Sequence, residues 1–280
     1  MDLQQTQPVP KLGTGKAYYK RKLSFYNFCV HDAQNNKSYM YTWEENTAKR
    51  GSVEIYSCMF KWLVDHLFSR PDQYPKKLKI FADNCGGQNK NNNLCLALLM
   101  HVHKGLFERV ELSYLVPGHS YNSCDRAFGH IQTQYKKIFA IHTPEEYVDI
   151  IKNSNKKQGE IPVYRMQKED FINIEIFVTR KASTRLAHIK ATTEKMFQRA
   201  TQIVVKKELH NGYILKNSFN IADECGTKIG VTPSDKNDED FNLSNVILKP
   251  KYKRERKLRH EKITDLDHFF TQMEGKNRQW

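Results

Sequence analysis

Apolar, aromatic and polar positions alternate along residues 23–31, LSFYNFCVH, and again along 38–43, SYMYTW, with the turn-rich stretch 32–37 between them. β-Branched and aromatic residues at a period near two mark half-buried strands, so the two runs predict a hairpin. The period then changes. Val53, Ile55, Met59, Phe60, Leu63, Val64 and Leu67 recur at three- and four-residue spacing behind Gly51-Ser52, which predicts an amphipathic helix with Ser52 as its N-cap, ending before Pro71. Residues 78–82, LKIFA, form a short apolar run of the kind buried in a parallel sheet; it stops at Asp83, before a turn over 84–87. Leu94, Leu96, Ala97, Leu98, Leu99 and Val102 are apolar almost all round, as in a helix pressed on a sheet, and Gly105 closes it. Residues 110–116 predict another strand. Phe128, Ile131, Tyr135 and Ile138 then predict a helix over 125–138, capped by Asn122 or Ser123.

With a first strand at Asp2, the order is three strands, then helix, strand, helix, strand, helix. An antiparallel hairpin leading into parallel units predicts an α/β fold with a mixed sheet of RNase H-like type, flanked by helices. Past Thr143 the pattern loosens into a short helix over 144–151, a polar linker over 153–159 and strands over 161–164, 172–178 and 202–206. The expected organisation is an RNase H-like core over 1–142, a smaller basic module of mixed α/β or β type over 143–248, and a basic tail over 249–280.

Charge narrows the class of partner. The chain has 45 Lys and Arg against 31 Asp and Glu, a formal net charge of +14, which favours a polyanion such as DNA or RNA. No apolar run approaches the roughly 18 residues that span a bilayer, and no charged leader precedes an apolar stretch, so a soluble protein without a membrane partner is expected. The 6 cysteines form no CxxC pair and no close framework, which predicts reduced thiols inside a cell. The run KPKYKRERKLRHEK over 249–262 reads as a solvated tail or helix face, or as a nucleic-acid patch or nuclear-import signal, and a nuclear or nucleocytoplasmic location is expected.

The candidate chemistry rests on carboxylates. Asp83 stands where a buried strand meets a turn, the edge at which open α/β sheets bind ligands, and Asp125 opens a later helix. In an RNase H-like arrangement an aspartate on the first strand, one after the fourth and an acid on a later helix face one cleft; Asp2, Asp83 and Asp125 have that order. Carboxylate oxygens suit Mg2+ or Mn2+ in a two-metal site for in-line attack on a phosphodiester. Glu54 is a candidate fourth carboxylate, or simply an exposed glutamate favoured by the helix dipole; Glu44 and Glu45 are weaker candidates. In NCGGQNKNNN, over 84–93, Asn84, Gln88, Asn89 and Lys90 would meet phosphate at a helix start, or form only a polar capping turn. Arg126 is a further nucleic-acid contact, and His119 either a phosphate contact or proton shuttle or a structural loop histidine. GGQNKN lacks P-loop spacing, and Cys85, His119 and Cys124 lack the paired spacing of a zinc site.

Five segments, MDLQQTQPVPKL, YYKRKLSFYNFCVHD, RGSVEIYSC, FADNCGGQNKNNN and VPGHSYNSCDRAFGHIQ, resemble in that order a transposon-derived family of animal proteins that looks like DDE transposases. The resemblance runs from Asp2 to about Lys137. It implies an RNase H-like core in which Asp2, Asp83 and Asp125 cut or join DNA with divalent metal, and it places Glu54 in a recurring RGSxEI segment. Family members carry a longer region before the DLQQ motif, so the first strand is expected to lack its upstream half, with ladder bonds and packing around Asp2 lost. Three function classes follow: a metal-dependent endonuclease or strand-transfer core, active or an inactive descendant; a non-catalytic nucleic-acid-binding protein; and a scaffold for protein partners. DNA is the expected partner, with self-association as a homodimer beside it.

Overall fold

The structure, a computed structural model, describes residues 1–13, 19–69, 75–115, 122–155, 159–177, 187–188, 193–209, 211–220, 222–233 and 243–272. It is a mixed α/β protein with two mixed sheets and, among the described residues, six α-helices. In chain order these elements are β1 (Asp2–Leu3), β2 (Gln7–Val9), β3 (Leu23–Asp32), β4 (Lys37–Glu44), α1 (Ser52–Trp62), β5 (Lys77–Ala82), α2 (Asn92–His103), β6 (Arg109–Tyr114), α3 (Ser123–Lys137) and α4 (Pro144–Lys152). They continue with β7 (Val163–Arg165), β8 (Ala187–His188), α5 (Thr193–Arg199), β9 (Gln202–Lys206), β10 (Gly212–Lys216), β11 (Thr227–Gly230), β12 (Thr232–Pro233) and α6 (His260–Gln272). The chain divides into two compact units that interleave along the sequence. A hairpin unit contains Asp2–Lys49, Tyr121–Asp170 and Tyr252–Trp280; a crossover unit contains Met1, Arg50–Ser120 and Phe171–Lys251. Residues 143–248 are thus shared between both units rather than gathered in one.

In the hairpin unit, β3 and β4 pair antiparallel from Phe25↔Glu44 to Asp32↔Lys37. Asn36, with φ of 50°, takes the left-handed turn position that asparagine tolerates. β1 and β2 both pair with β3, and β7 adds parallel to β4. Phe25, Cys29 and Met40 bury one sheet face against Cys124, Phe128 and Ile131 of α3 and against Tyr147 and Ile151 of α4. The Phe25 ring meets Tyr147 edge-on at 4.9 Å, the geometry that aromatic quadrupoles favour. α4 begins as its sequence directs, with the Thr143 hydroxyl accepting from Glu146 N–H at 3.2 Å and Pro144 at the first helical position.

The end of the basic run is helical, as in the helix-face reading of that run, and lies in α6. α6 packs Leu266 and Phe269 on Leu23. Arg256 Nη1 donates to the Glu45 and Ala48 carbonyls, and Lys262 Nζ lies 2.5 Å from a Glu45 carboxylate oxygen, so part of the run's charge is used inside the hairpin unit. Lys253, Arg254, Lys257 and Arg259 remain exposed.

In the crossover unit β5 and β6 run parallel from Lys77↔Arg109 to Ala82↔Tyr114, joined through α2, which is buried from Leu94 to Val102. Gly105, with φ of 71°, closes α2 in the left-handed conformation that glycine adopts without strain. β9, β10 and β11 extend this sheet antiparallel beyond β6. α1 is capped by Gly51, one residue earlier than expected, and widens after Trp62 into a π-type turn over Leu63–Phe68.

The strand expected over 172–178 does not form. Ile172 makes one isolated bridge to Pro250, Glu175–Phe177 is a single 3-10 turn, and residue 178 lies outside the described residues. Phe171 and Ile174 are wholly buried and the Ile172 N–H donates to Ser57 Oγ at 2.8 Å. This segment is therefore held by buried side chains and by two backbone bonds around the single bridge, Asn173 N–H to the Lys249 carbonyl at 2.9 Å and Lys251 N–H to the Phe171 carbonyl at 2.6 Å, without a continued ladder. Strand propensity needs an open sheet edge to act on. Among the described residues no helix is long and apolar enough to cross a membrane, and all 6 cysteines are free.

Candidate functional site

The candidate aspartates occupy two kinds of position, and the turn after β5 is the more enclosed. Asp83 follows Ala82, the last residue of β5, at the carboxyl edge of the parallel β5–β6 pair. Asn89 Nδ2 donates to Asp83 Oδ1. The loop is held from within: the Cys85 carbonyl accepts from the N–H groups of Gln88, Asn89 and Lys90, and the Tyr114 hydroxyl donates to the Asn89 carbonyl at 3.0 Å. Lys90 Nζ donates to Asn84 Oδ1 at 2.8 Å and to the Gln198 carbonyl at 3.0 Å, and lies 5.0 Å from the Tyr114 ring centroid. Lys90 is 8% exposed and Asn89 1%, so two residues with a candidate phosphate role are struts of the loop itself. Burial pushes the Lys90 amine below its ordinary pKa. Asn91 caps α2 through its Oδ1, which accepts from Leu94 N–H at 3.1 Å. Gln88 is half-buried, while Asn84 is exposed and lines a cleft of about 440 Å3 with Gly86, Asn92 and Gln198.

Glu54 belongs to the same unit. At 2% exposure it is not the solvated, dipole-favoured glutamate that its place in the first helical turn suggests. Its Oε2 accepts the Gly51 N–H at 2.6 Å. A Cβ on Gly51 would stand 3.4 Å from that oxygen and 3.8 Å from the Gly87 carbonyl oxygen. The start of α1 therefore rests against the turn that follows Asp83, at one end of the crossover unit.

In the hairpin unit Asp2 pairs with Cys29 across β1 and β3, and its Oδ1 accepts the Leu3 N–H at 2.8 Å. Cys124 Sγ approaches the Cys29 carbonyl at 3.5 Å, which seats the first turn of α3 on the β3 residue opposite Asp2. Burial pushes the Cys29 thiol up, whereas a hydrogen bond from Cys29 holds Cys124 below its ordinary value. Asp125, the next residue, completes a capping box: its Oδ2 accepts the Asn122 N–H at 3.0 Å and Asn122 Oδ1 accepts the Asp125 N–H at 2.8 Å. Of the two capping residues that the sequence offers, Asn122 takes the role. Asp2 and the first turn of α3, which carries Asp125, thus both adjoin Cys29 of β3.

The weaker carboxylates have structural partners. Glu44 pairs with Arg165, and Glu45 with Lys262 and with the Ser24 N–H at 2.7 Å. His119 lies outside the described residues. Carboxylate oxygen suits a hard divalent cation, and a carboxylate has about four acceptor positions, so the local bonds to Asp2, Asp83 and Asp125 do not use up their donor capacity. Among the described residues no three His, Cys, Asp or Glu side chains form a ready metal-holding group.

Sequence reasoning missed a set of basic side chains. His31, Lys37 and His130 line a groove of about 480 Å3 together with Arg126, the one member that the sequence pointed to. The available signal was the four-residue spacing of Arg126 and His130, which puts both on one face of α3. Nothing in the linear pattern brings the hairpin turn to that face.

The family model for a domain of unknown function, DUF7869, matches residues 22–211, more than half of the chain. No curated protein and no solved structure matches it significantly.

Proposed function

The chain belongs to the family of the domain of unknown function DUF7869, and we propose that it is a transposase-derived, divalent-metal-dependent DNA endonuclease or strand-transfer core of RNase H-like type. Asp2, Asp83 and Asp125, with Glu54, would hold Mg2+ or Mn2+. The observation that carries this reading is the position of Asp83, at the carboxyl edge of a parallel strand pair in a chain that opens with an antiparallel hairpin. When bound, such cations lower the pKa of an attacking water or 3′-hydroxyl and stabilise the leaving oxygen. The chain's own residues orient the carboxylates: Asn89 holds Asp83, the Gly51 N–H holds Glu54, and the capping box sets Asp125. A net charge of +14 supports DNA as the substrate, and the basic run over 249–262 supports a nuclear place of action.

Supercoiled DNA incubated with the chain and Mg2+ or Mn2+ should be nicked, and Asp83→Ala should abolish the nicking. No cleavage with either metal overturns the enzyme. A second reading, non-catalytic nucleic-acid binding, is favoured by the structural duties of two of the acids, Asp125 in a helix cap and Asp83 in its loop. Salt-sensitive DNA binding without cleavage would establish it.

A further inference from the structure

We infer that the hairpin unit carries a grip for the phosphates of a nucleic-acid strand, built from His31 and Lys37 at the turn end of β3–β4 and from Arg126 and His130 on α3. This rests on the nucleic-acid reading above and names the residues that would hold the backbone.

The groove of about 480 Å3 brings these four side chains together with the hydroxyls of Ser38 and Ser123. Glu160 is its one acidic lining residue among the described residues. Lys37, Arg126 and His130 are exposed, and among the described residues none of the three forms an ion pair with a carboxylate. Two other cations of the same unit are spent, Arg165 on Glu44 and Lys262 on Glu45, while Lys253, Arg254, Lys257 and Arg259 stand exposed in the C-terminal run. His31 Nδ1 lies 3.0 Å from Ser38 Oγ, so these two groups present one polar pair to the groove. The His31 pKa is lowered first by burial, with Arg126 adding to this and Asp32 opposing it, so His31 offers the groove a neutral hydrogen-bonding imidazole beside the charges of Lys37 and Arg126.

A donor-rich, nearly acid-free lining suits phosphate oxygens, whereas a pocket for a small organic molecule is mostly apolar. The arrangement is also longer than one phosphate needs. Arg126 and His130 line a second cleft, of about 570 Å3, together with Asn122, Asp125 and Thr133. The two side chains therefore stand on a ridge, with His31 and Lys37 on one side and the Asp125 carboxylate on the other. A strand held along that ridge has phosphates on the cations and runs past Asp125. Contacts of this kind fix position along the backbone and carry no base preference.

Fluorescence anisotropy of the full chain with labelled single-stranded and duplex oligonucleotides, in EDTA and over a range of salt, tests the grip. Lys37→Ala/Arg126→Ala should weaken binding about tenfold or more and flatten the logarithmic salt slope by about 0.7 to 0.9 for each phosphate that is no longer neutralised. Lys253→Ala/Arg254→Ala removes the same charge from the exposed C-terminal run and should cost less than about threefold. Equal losses from the two pairs would mean that net charge alone binds the strand, and the inference falls. A Lys37→Glu/Arg126→Glu variant, checked for an unchanged melting temperature, should bind more weakly still; undiminished binding overturns the grip. Inorganic phosphate should displace the strand better than chloride of equal ionic strength. Saturation by inorganic phosphate with no oligonucleotide binding overturns assignment to a strand. Because no step requires metal, a chain that never cuts DNA yet shows this selective loss refutes the nuclease and keeps the grip.

Discussion

The turn after β5 and the first turns of α3 each present a candidate aspartate, yet they use their polar residues in opposite directions. Around Asp83 two polar side chains point inward: Asn89 and Lys90 are buried, Asn89 Nδ2 donating to Asp83 and Lys90 to Asn84 and the Gln198 carbonyl beside the Tyr114 ring, while Asn89 Oδ1 is buried without a hydrogen-bond partner among the described residues. Around Asp125 the cap is local, and Arg126 and His130 stand exposed on a ridge between two clefts. A buried polar group must be hydrogen-bonded or it costs roughly 1 to 3 kcal/mol, so the first region trades reach for rigidity. The second keeps its charges available. A basic or amide-rich stretch in sequence thus has two outcomes, a scaffold or a contact surface, and the difference lies in which side of the backbone the fold covers.

The histidines sharpen the same contrast, and the largest effect is expected there. His101 is wholly buried in the crossover unit, with Nε2 3.0 Å from the Tyr56 hydroxyl and its ring stacked on Phe60 at 5.4 Å. Burial, with Lys104 adding to it, pushes its pKa from 6.5 down to about 4. The unfolded chain then binds a proton that the folded one refuses, so stability falls as pH drops from about 6.5 toward 4, by up to roughly 1.4 kcal/mol per pH unit. Urea midpoints across that window should show this limb, and His101→Gln should flatten it. An unchanged slope would mean that His101 is reached by solvent.

Asn89→Leu comes next. It keeps the branched side-chain shape, with slightly larger methyl groups, and removes the donor to Asp83, and it should cost about 1.5 to 3 kcal/mol in urea unfolding. Arg126→Ala should change stability by no more than about 0.5 kcal/mol, since it removes an exposed side chain with no structural partner among the described residues. If Asn89→Leu were as mild as Arg126→Ala, the loop would not be the rigid scaffold described, and the contrast between the two regions would fail.

Much of the element order was legible. β3, β4, β5, α2, β6, α3 and β9 form within a residue or two of their predicted spans, because each owes its pattern to one buried face or to burial on all sides. Asn122 as the cap of α3 was legible for a similar reason, since side chain and backbone lie three residues apart. β10, with its run GYILK, is not predicted by pattern, although Tyr213 and Ile214 are fully buried; its neighbours β9 and β11 are what make it a strand. α6 was hidden by the charges around it, since among the described residues its buried apolar packing on Leu23 comes from Leu266 and Phe269. The segment 172–178 failed in the other direction, having strand-like composition without a sheet edge.

The sites divide along the same line. From sequence alone came the net charge of +14, the identity and order of Asp2, Asp83 and Asp125, and the placement of Asp83 at a strand end. These depend on residue type and on neighbours along the chain. Tertiary structure decided that Glu54 is buried, that Lys90 is a strut, and that His31 and Lys37 share a groove with Arg126 and His130. Each of these depends on groups far apart in sequence, and whether a polar side chain is buried or exposed is set by those distant neighbours, for which a local pattern holds no record.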